Sequence, residues 1–438
     1  MAERPHVLVI VQNLPVPLDR RVWLECRALR DAGFEVSVIC PKGPGDPSYA
    51  VIDDIHLYKY RPAPQATGLL GYAVEFGYSW LRTAHLSRRV WRRAPFQALQ
   101  ACNPPDTYWA LAKLWKRRNV RFVFDQHDLN PELFLSRFGE PQGWGGRAQL
   151  AGLRWLERRT YATSDHVIST NESYQQIAVE RGGLAPEDVT VVRSGPDTTV
   201  MRPIHPPEGS SRHSLVYLGI MGPQDGVDTV LEVMEELVHR RGRSDVEATL
   251  LGFGDCLGDL RLQSRRLGLD DFVTFTGRAG PDMIAEHLSE ASVGLCPDRK
   301  TPLADVSTMN KTMEYMAYAL PSVCFDLKET RVSGGDSCLY VDSGDVVAFA
   351  DAVERLLDDP ELRLEMSRRA RRRVSLALDW KPQSSAYVSV YDRLLRTDVQ
   401  RLVPASTEPR YVELGDEGEF RRFVLSKGPQ AADHAVSA

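Results

Sequence analysis

The sequence predicts an α/β protein built from two doubly wound parallel-sheet units. Three observations carry this. Continuous apolar runs such as His6-Val7-Leu8-Val9-Ile10-Val11 suit strands buried on both faces of a parallel sheet. The strand–helix alternation starts at residue 6 and restarts at Ser214-Leu215-Val216-Tyr217-Leu218-Gly219. Between the two series lies Ile204-His205-Pro206-Pro207-Glu208-Gly209-Ser210-Ser211, whose Pro, Gly and Ser content marks a linker. The length of 438 residues allows two or three domains.

In the first unit, the opening strand leads through a Pro-broken loop, 12–19, to a helix over 21–32 that Gly33 ends. Phe34 to Cys40 is the next strand, and right-handed crossover makes this the start of a doubly wound sheet. Further strands are expected at 120–125, 166–169 and 189–192, with a helix over 148–163. In the second unit strands are expected at 214–219, 246–251, 273–277, 292–296 and 321–325, with a helix from Gly226 to His239. A last helix is expected over 383–396, and past residue 397 periodicity fades into what reads as a partly mobile tail.

Composition narrows the class. Lys plus Arg is 54 and Asp plus Glu is 59, a net charge of −5, whereas a dedicated nucleic-acid binder is more often basic overall. No apolar run reaches the ~18 residues that span a bilayer. The N-terminus enters a strand-like run at once, without a secretory leader. The seven cysteines form no CxxC pair and read as buried thiols of a reducing cytoplasm rather than a zinc site.

In open α/β sheets ligands bind beyond the carboxyl ends of the strands, so chemistry is sought just after each strand. No Gly-x-Gly-x-x-Gly follows the first strand. Arg20 and Arg21 open a helix where the dipole prefers acids, and read either as a solvated pair or as an anion contact. Asp125-Gln126-His127-Asp128-Leu129-Asn130-Pro131-Glu132 gathers an imidazole, carboxylates and amides, and reads either as a capping or salt-bridge cluster or as a site with His127 a hydrogen-bond donor or general base. In the second unit Gly219-Ile220-Met221-Gly222 and Gly252-Phe253-Gly254 are strand-to-helix loops able to bring backbone N–H groups to a phosphate. The densest stretch is Asn310-Lys311-Thr312-Met313-Glu314-Tyr315-Met316-Ala317. Glu314 lies near a buried face, where an unpaired carboxylate is costly, and is suited to a sugar diol. Lys311, one turn earlier, is suited to a phosphate or to an ordinary i,i+3 pair with Glu314.

At these residues the chain resembles the GT-B glycosyltransferases, specifically the retaining glycosyltransferase family 4, or glycosyl transferases group 1, over roughly residues 6 to 397. The run Lys311 to Phe325 with Asp326 to Arg331 is similar to the family's nucleotide-sugar segment, and Glu314 takes the place of its ribose-binding glutamate. Asp225-Gly226-Val227-Asp228 resembles the start of the family's first donor-domain helix, His127 its cleft histidine, and Trp380 with the helix behind it the terminal helix that crosses back. The resemblance implies two Rossmann-like domains facing a cleft. The acceptor domain spans 1–203, a linker 204–212, the donor domain 213–380, the crossover helix 381–397 and the tail 398–438. It implies a nucleoside diphosphate sugar donor, most commonly a uridine one, with no cofactor and no metal, and retention at the anomeric carbon.

Three positions depart from the family pattern. Ile220 and Asp225 stand where basic residues usually bind the donor diphosphate, and Val306 stands where the first of two paired glutamates is usual. Lys311, Arg278 and Lys300 are the candidate replacements. The site set is then His127, Lys311 and Glu314 as catalytic candidates. Gly219, Met221, Gly222, Gly252, Gly254, Arg278, Asn310, Lys311 and Glu314 are expected to bind the donor. The competing readings are a degenerate, non-catalytic scaffold and a nucleotide-sugar epimerase. In the first unit Arg82, Arg88, Arg89, Arg92 and Arg93 follow an aromatic stretch, and Lys113, Lys116, Arg117, Arg118 and Arg121 form a second basic group. They read either as a core helix with a solvated basic face or as suited to an anionic membrane surface and a lipid-linked acceptor, with peripheral attachment to the inner face of the cell membrane.

Overall fold

The computed structural model describes residues 4–63, 68–204, 212–397 and 417–429, without the side chains of 68–70 and 72–73. The chain divides into two compact units, one of Met1–Ser194 with Lys381–Ser406, the other of Gly195–Trp380 with Thr407–Ala438.

The first unit holds an eight-stranded sheet of β1 His6–Ile10, β2 Glu35–Pro41, β3 Tyr49–Ile52, β4 Ile55–Tyr60, β5 Ala98–Cys102, β6 Arg121–Gln126, β7 His166–Ser169 and β8 Val189–Val191. Its order is β3-β4-β2-β1-β5-β6-β7-β8, parallel except where β3 turns back on β4. The predicted strands are present to within two residues at either end. β3, β4, β5 and the second unit's last strand were not predicted. β5, Ala-Leu-Gln-Ala-Cys, carries a glutamine at its centre that breaks the apolar run, yet all five residues are buried.

The second unit's sheet is wholly parallel, with β9 His213–Leu218, β10 Val246–Leu251, β11 Val273–Gly277, β12 Val293–Cys296, β13 Ser322–Phe325 and β14 Cys338–Val341. Its order β11-β10-β9-β12-β13-β14 reverses direction between β9 and β12, the doubly wound pattern with its switch point there. The first sheet has its switch between β1 and β5. The helix expected over 226–239 is α-helical over Val227–Glu235 and closes in a π-turn over Glu236–Arg240.

The helix Trp380–Leu395 enters the first unit at Lys381. Tyr387, Val390 and Tyr391 are fully buried there, and the Tyr391 ring meets Phe34 edge-on at 6.2 Å. Residues 195–203, placed with the first domain by sequence, fall in the second unit. Asp379 Oδ2 accepts from the Thr198 N–H at 3.0 Å, and the buried Arg371 guanidinium donates to the carbonyls of Thr198 and Met201. Residues 205–211 of the expected linker and most of the expected tail lie outside the described residues. The tail nevertheless contains the helix Glu417–Leu425, whose Phe423 and Val424 pack with Leu364. Nine residues give too short a period to see in sequence.

Candidate functional site

Each unit collects polar side chains at the carboxyl end of its sheet, near its switch point. In the first unit the helix Arg20–Asp31 begins after β1 with Asp19 as its cap, accepting from the Val22 N–H at 3.1 Å. Its first turn buries Arg21, whose side chain is 9% exposed. Arg21 is therefore no solvated residue. The guanidinium stands 3.0 Å from Glu25 Oε1, donates to Asp125 Oδ1 at 3.1 Å and to the Val192 carbonyl at 2.8 Å, and lies 3.1 Å from His127 Nε2. It is the internal counter-ion of a buried acidic cluster.

Asp125, at the end of β6, is fully buried. Its Oδ2 lies 2.7 Å from His127 Nε2 and accepts from Gln100 Nε2 at 2.9 Å. The carboxylate calls for a proton on Nε2 while the Arg21 Nε–H at 3.1 Å calls for a lone pair on the same atom, so the two compete for Nε2, and Nδ1 is the other face of the imidazole. The His127 side chain is 17% exposed while Asp125 is at 0%, so only the histidine can meet a ligand. Asn103 Oδ1 accepts from the N–H groups of His127 and Asp128 at 2.7 and 3.0 Å, which pins the loop.

The electrostatics follow from burial and this pairing. Burial opposes charge on Asp125, yet His127⁺ and Arg21 outweigh it and hold the carboxyl well below its ordinary range. Burial also works against a charged His127, but the Asp125 carboxylate raises it above its ordinary value. Glu25 goes the other way. Desolvation, then the nearby Asp125 charge, pushes its carboxyl up to about 8, so at neutral pH Glu25 keeps its proton. Glu25, Cys102, Asp125 and His127 bring their ligand atoms within 4.8 Å of one another, a set that resembles a metal site. The Arg21 guanidinium already contacts Glu25, Asp125 and His127, and a divalent ion would have to displace it.

In the second unit the loops after β9 and β10 touch. A Cβ on Gly252 would stand 1.8 Å from the Gly219 carbonyl oxygen, and one on Gly254 2.5 Å from that of Met221. Only glycine permits this approach. Asp225 Oδ2 accepts from the Gly222 N–H at 2.9 Å, so the residue standing where the family has a cation caps the turn instead.

The helix Asn310–Ala317 brings Lys311 and Glu314 to this edge. Lys311 is not paired with Glu314. Its Nζ reaches Asp298, just past β12, at 2.5 Å and lies 5.3 Å over the Tyr217 ring. Burial opposes its charge, and Asp298 more than restores it, holding the ammonium above its ordinary value. Its Cε lies 3.2 Å from the Cβ that Gly219 lacks. Glu314 is 9% exposed, at the limit of burial. Tyr315 underpins the switch point, accepting from the Leu218 N–H at 2.8 Å and donating to the Leu295 carbonyl at 3.3 Å.

Of the other replacement cations, Lys300 pairs with Asp305 at 3.4 Å, while Arg278 lies 4.2 Å over the exposed Phe253 ring beside the Gly252–Gly254 loop. Among the described residues Arg278 has no carboxylate partner. Sequence reasoning missed Asp298, Gln100 and the pairing of Arg21. The one available signal was Glu25, an acid four residues after Arg21 on an otherwise apolar helix face with Val22, Cys26 and Leu29.

These two doubly wound sheets, with polar clusters at their carboxyl edges, define the class by fold. Residues 18–200 match the family model described as Glycosyltransferase Family 4, and residues 212–359 match that described as Glycosyl transferases group 1. The chain belongs to this GT-B glycosyltransferase family. It is 33% identical over 161 residues to an alpha-D-kanosaminyltransferase of Streptomyces kanamyceticus, covering 36% of this chain and 40% of that protein. The chain spans about 40 to 60% of the length of the first curated relatives it matches. Sucrose-phosphate synthase from Thermosynechococcus elongatus shares the fold at a TM-score of 0.72 and 17% identity, over 90% of this chain and 100% of that one. Anabaena HepE, solved with UDP-glucose, shares it at a TM-score of 0.65 and 14% identity, over 89% of this chain and 99% of that one.

Proposed function

We propose that this chain transfers a glycosyl group from a nucleoside diphosphate sugar, with retention, to a glycan or lipid-linked acceptor of polysaccharide or cell-envelope synthesis. The observation that carries the reading is the edge of the second sheet. There Lys311 packs against Gly219, in glycine loops that no larger residue could form, and Glu314 follows one helical turn on. In this reading Glu314 accepts from the ribose hydroxyls, and the diphosphate is met by the N–H groups of Ile220, Phe253 and Gly254, since those of Gly219, Met221, Gly222 and Gly252 donate within the unit. Lys311 and Arg278 supply its counter-charge. His127 presents Nδ1 to a sugar oxygen, and Asp125 stabilises the charged imidazole. The likeness to a protein solved with UDP-glucose favours uridine as the base.

Thermal shift with nucleoside diphosphates tests this. At ~100 times the dissociation constant, the fitting nucleotide stabilises by about 2.7 kcal/mol. Glu314→Gln is expected to remove most of that shift while the unliganded melting temperature stays put. An undiminished shift in Glu314→Gln would refute the ribose assignment. One observation favours a second reading, a nucleotide-binding scaffold without turnover: Asp225 is spent on the turn at Gly222 and Ile220 is half exposed. Nucleotide binding without donor hydrolysis or transfer to any acceptor would select it.

The acceptor side carries the membrane part of the proposal. No helix among the described residues is long and apolar enough to cross a membrane. The helix Gly68–Arg93 and the helix Trp109–Lys116 border a groove of about 480 Å³ lined by Trp91, Trp115, Leu114, Arg88, Arg92 and Arg118. Aromatic walls with a guanidinium rim suit an anionic lipid surface. Arg93 does not join that rim. It bonds Tyr49, Tyr58 and His56 of the β3–β4 hairpin. Flotation with phosphatidylglycerol vesicles is expected to carry the protein, and Arg88→Glu/Arg92→Glu to leave it at the bottom. Equal flotation of both would sink the proposal.

A further inference from the structure

The Asp125–His127 pair is held from the far end of the chain. Gln100 on β5 is fully buried, and its amide has four hydrogen-bonding positions to fill. Nε2 donates to Asp125 Oδ2 and to Glu25 Oε2, each at 2.9 Å. Oε1 accepts from Tyr387 Oη at 2.6 Å and from Tyr391 Oη. Both tyrosines lie one turn apart on the helix Trp380–Leu395, fully buried, with hydroxyls 3.4 Å from each other. All four positions are thus used, and only one orientation of the amide satisfies them. Two hydroxyl donors on one side fix the oxygen there and turn the N–H groups toward the carboxylates.

We propose that Tyr387 and Tyr391 are positioning residues that orient the Gln100 amide and through it the Asp125–His127 pair. The inference rests on the reading of His127 as a substrate contact for its catalytic meaning, and on the first unit's geometry alone for the coupling. The tyrosines are needed because the other side of the amide does not decide the matter. Glu25, its carboxyl pushed up to about 8, accepts from the amide and bonds the Asp125 carboxylate as well, so it does not by itself fix the amide's direction. Without the hydroxyls the amide turns, Oε1 faces Glu25, and Asp125 loses a donor. The groups facing His127 are Arg21 and Glu25 from the first helix, Asp125 from β6 and Asp128 from the following loop; Cys102 on β5 donates to Asp125 at 3.4 Å. With these unchanged, loss of the amide donor makes the surroundings of the imidazole more negative, and His127 holds its proton to higher pH.

The test is an NMR titration of ring-labelled His127 in the full chain. Tyr387→Phe, Tyr391→Phe and the double variant keep both rings. Their His127 midpoint is expected to rise, most in the double variant, by about half to one unit, a roughly three- to ten-fold gain in proton affinity. Gln100→Leu is expected to raise it likewise. Val390→Ala removes buried packing from the same helix and is expected to leave the midpoint unmoved. If the double variant does not fold, each single variant still leaves one donor on Oε1 and gives the answer. Unmoved midpoints in the phenylalanine variants would overturn the proposal, as would an equal rise in Val390→Ala. If the midpoint rises while the pH limb of kcat stays in place, the coupling stands and the catalytic reading of His127 falls.

Discussion

Asp125→Ala is expected to cost the first unit about 3 to 5 kcal/mol, the range for breaking a buried ion pair. The carboxylate serves Arg21, His127, Gln100 and Cys102 at once, at 3.1, 2.7, 2.9 and 3.4 Å. Alanine leaves four buried donors without that acceptor, and Glu25 can take over the charge of Arg21 only by giving up its own proton. The urea midpoint of the first unit measures the loss. The pH dependence has a definite sign. The folded Asp125 carboxyl lies below its ordinary value, so its contribution is complete above the unfolded value of about 3.9 and fades as pH falls through the folded one. The gap between wild type and Asp125→Ala should therefore narrow below about pH 4 and, because the carboxylate also raises His127, narrow again as pH climbs past the ordinary histidine value of about 6.5. A loss under about 1 kcal/mol, ordinary for a surface pair, would show that the cluster is not organised around Asp125.

Lys311→Met is expected to have the second large effect, in the second unit. Lys311 and Asp298 are 9% and 4% exposed, so removing the ammonium strands a buried carboxylate at a cost of about 3 kcal/mol. That loss alone does not show whether Lys311 serves the fold or the donor. Lys311→Met/Asp298→Leu separates the two. Replacing a buried pair with apolar residues of similar volume is often neutral, so the double variant should recover most of the stability. If Lys311 meets the donor diphosphate, nucleotide affinity stays reduced in the double variant by roughly ten-fold or more, as for a lost charge-assisted hydrogen bond. Recovery of both stability and affinity would make the pair purely structural and move the diphosphate contact to Arg278.

The two charged clusters show where sequence reasoning reaches and where it stops. His127 and Glu314 stood out as candidates, His127 because it follows an apolar strand in a stretch dense with hydrogen-bonding residues, Glu314 because it lies beside the apolar helix face of Met313, Met316 and Ala317. Lys311 was legible as a candidate, but its partner was not. The i,i+3 rule pointed to Glu314, whereas the ammonium goes to Asp298, 13 positions upstream. Arg21 was visible only as an oddity at a helix start. That it is buried among carboxylates depends on β6 lying in the same sheet as β1, one strand removed. Gln100 was invisible because a glutamine in a five-residue run lowers its apolar character. β3, β4 and β14 were missed for a related reason, since strands of four to six residues offer little period to read.

The sequence by itself determined the two α/β units, the order of their principal elements and the loops in which ligands are sought. Those depend on local apolar periodicity and on glycine, and both are written residue by residue. Tertiary structure alone decided the charge states and the pairings. A buried proton's position depends on every charge and hydrogen-bond partner within several ångströms, and those partners lie 4 to 291 positions apart: Glu25 from Arg21, Tyr391 from Gln100. The C-terminal helix illustrates this best. Its amphipathic pattern predicts that it packs, but only the folded first unit shows that two of its tyrosines close the hydrogen-bond set of Gln100 beneath His127.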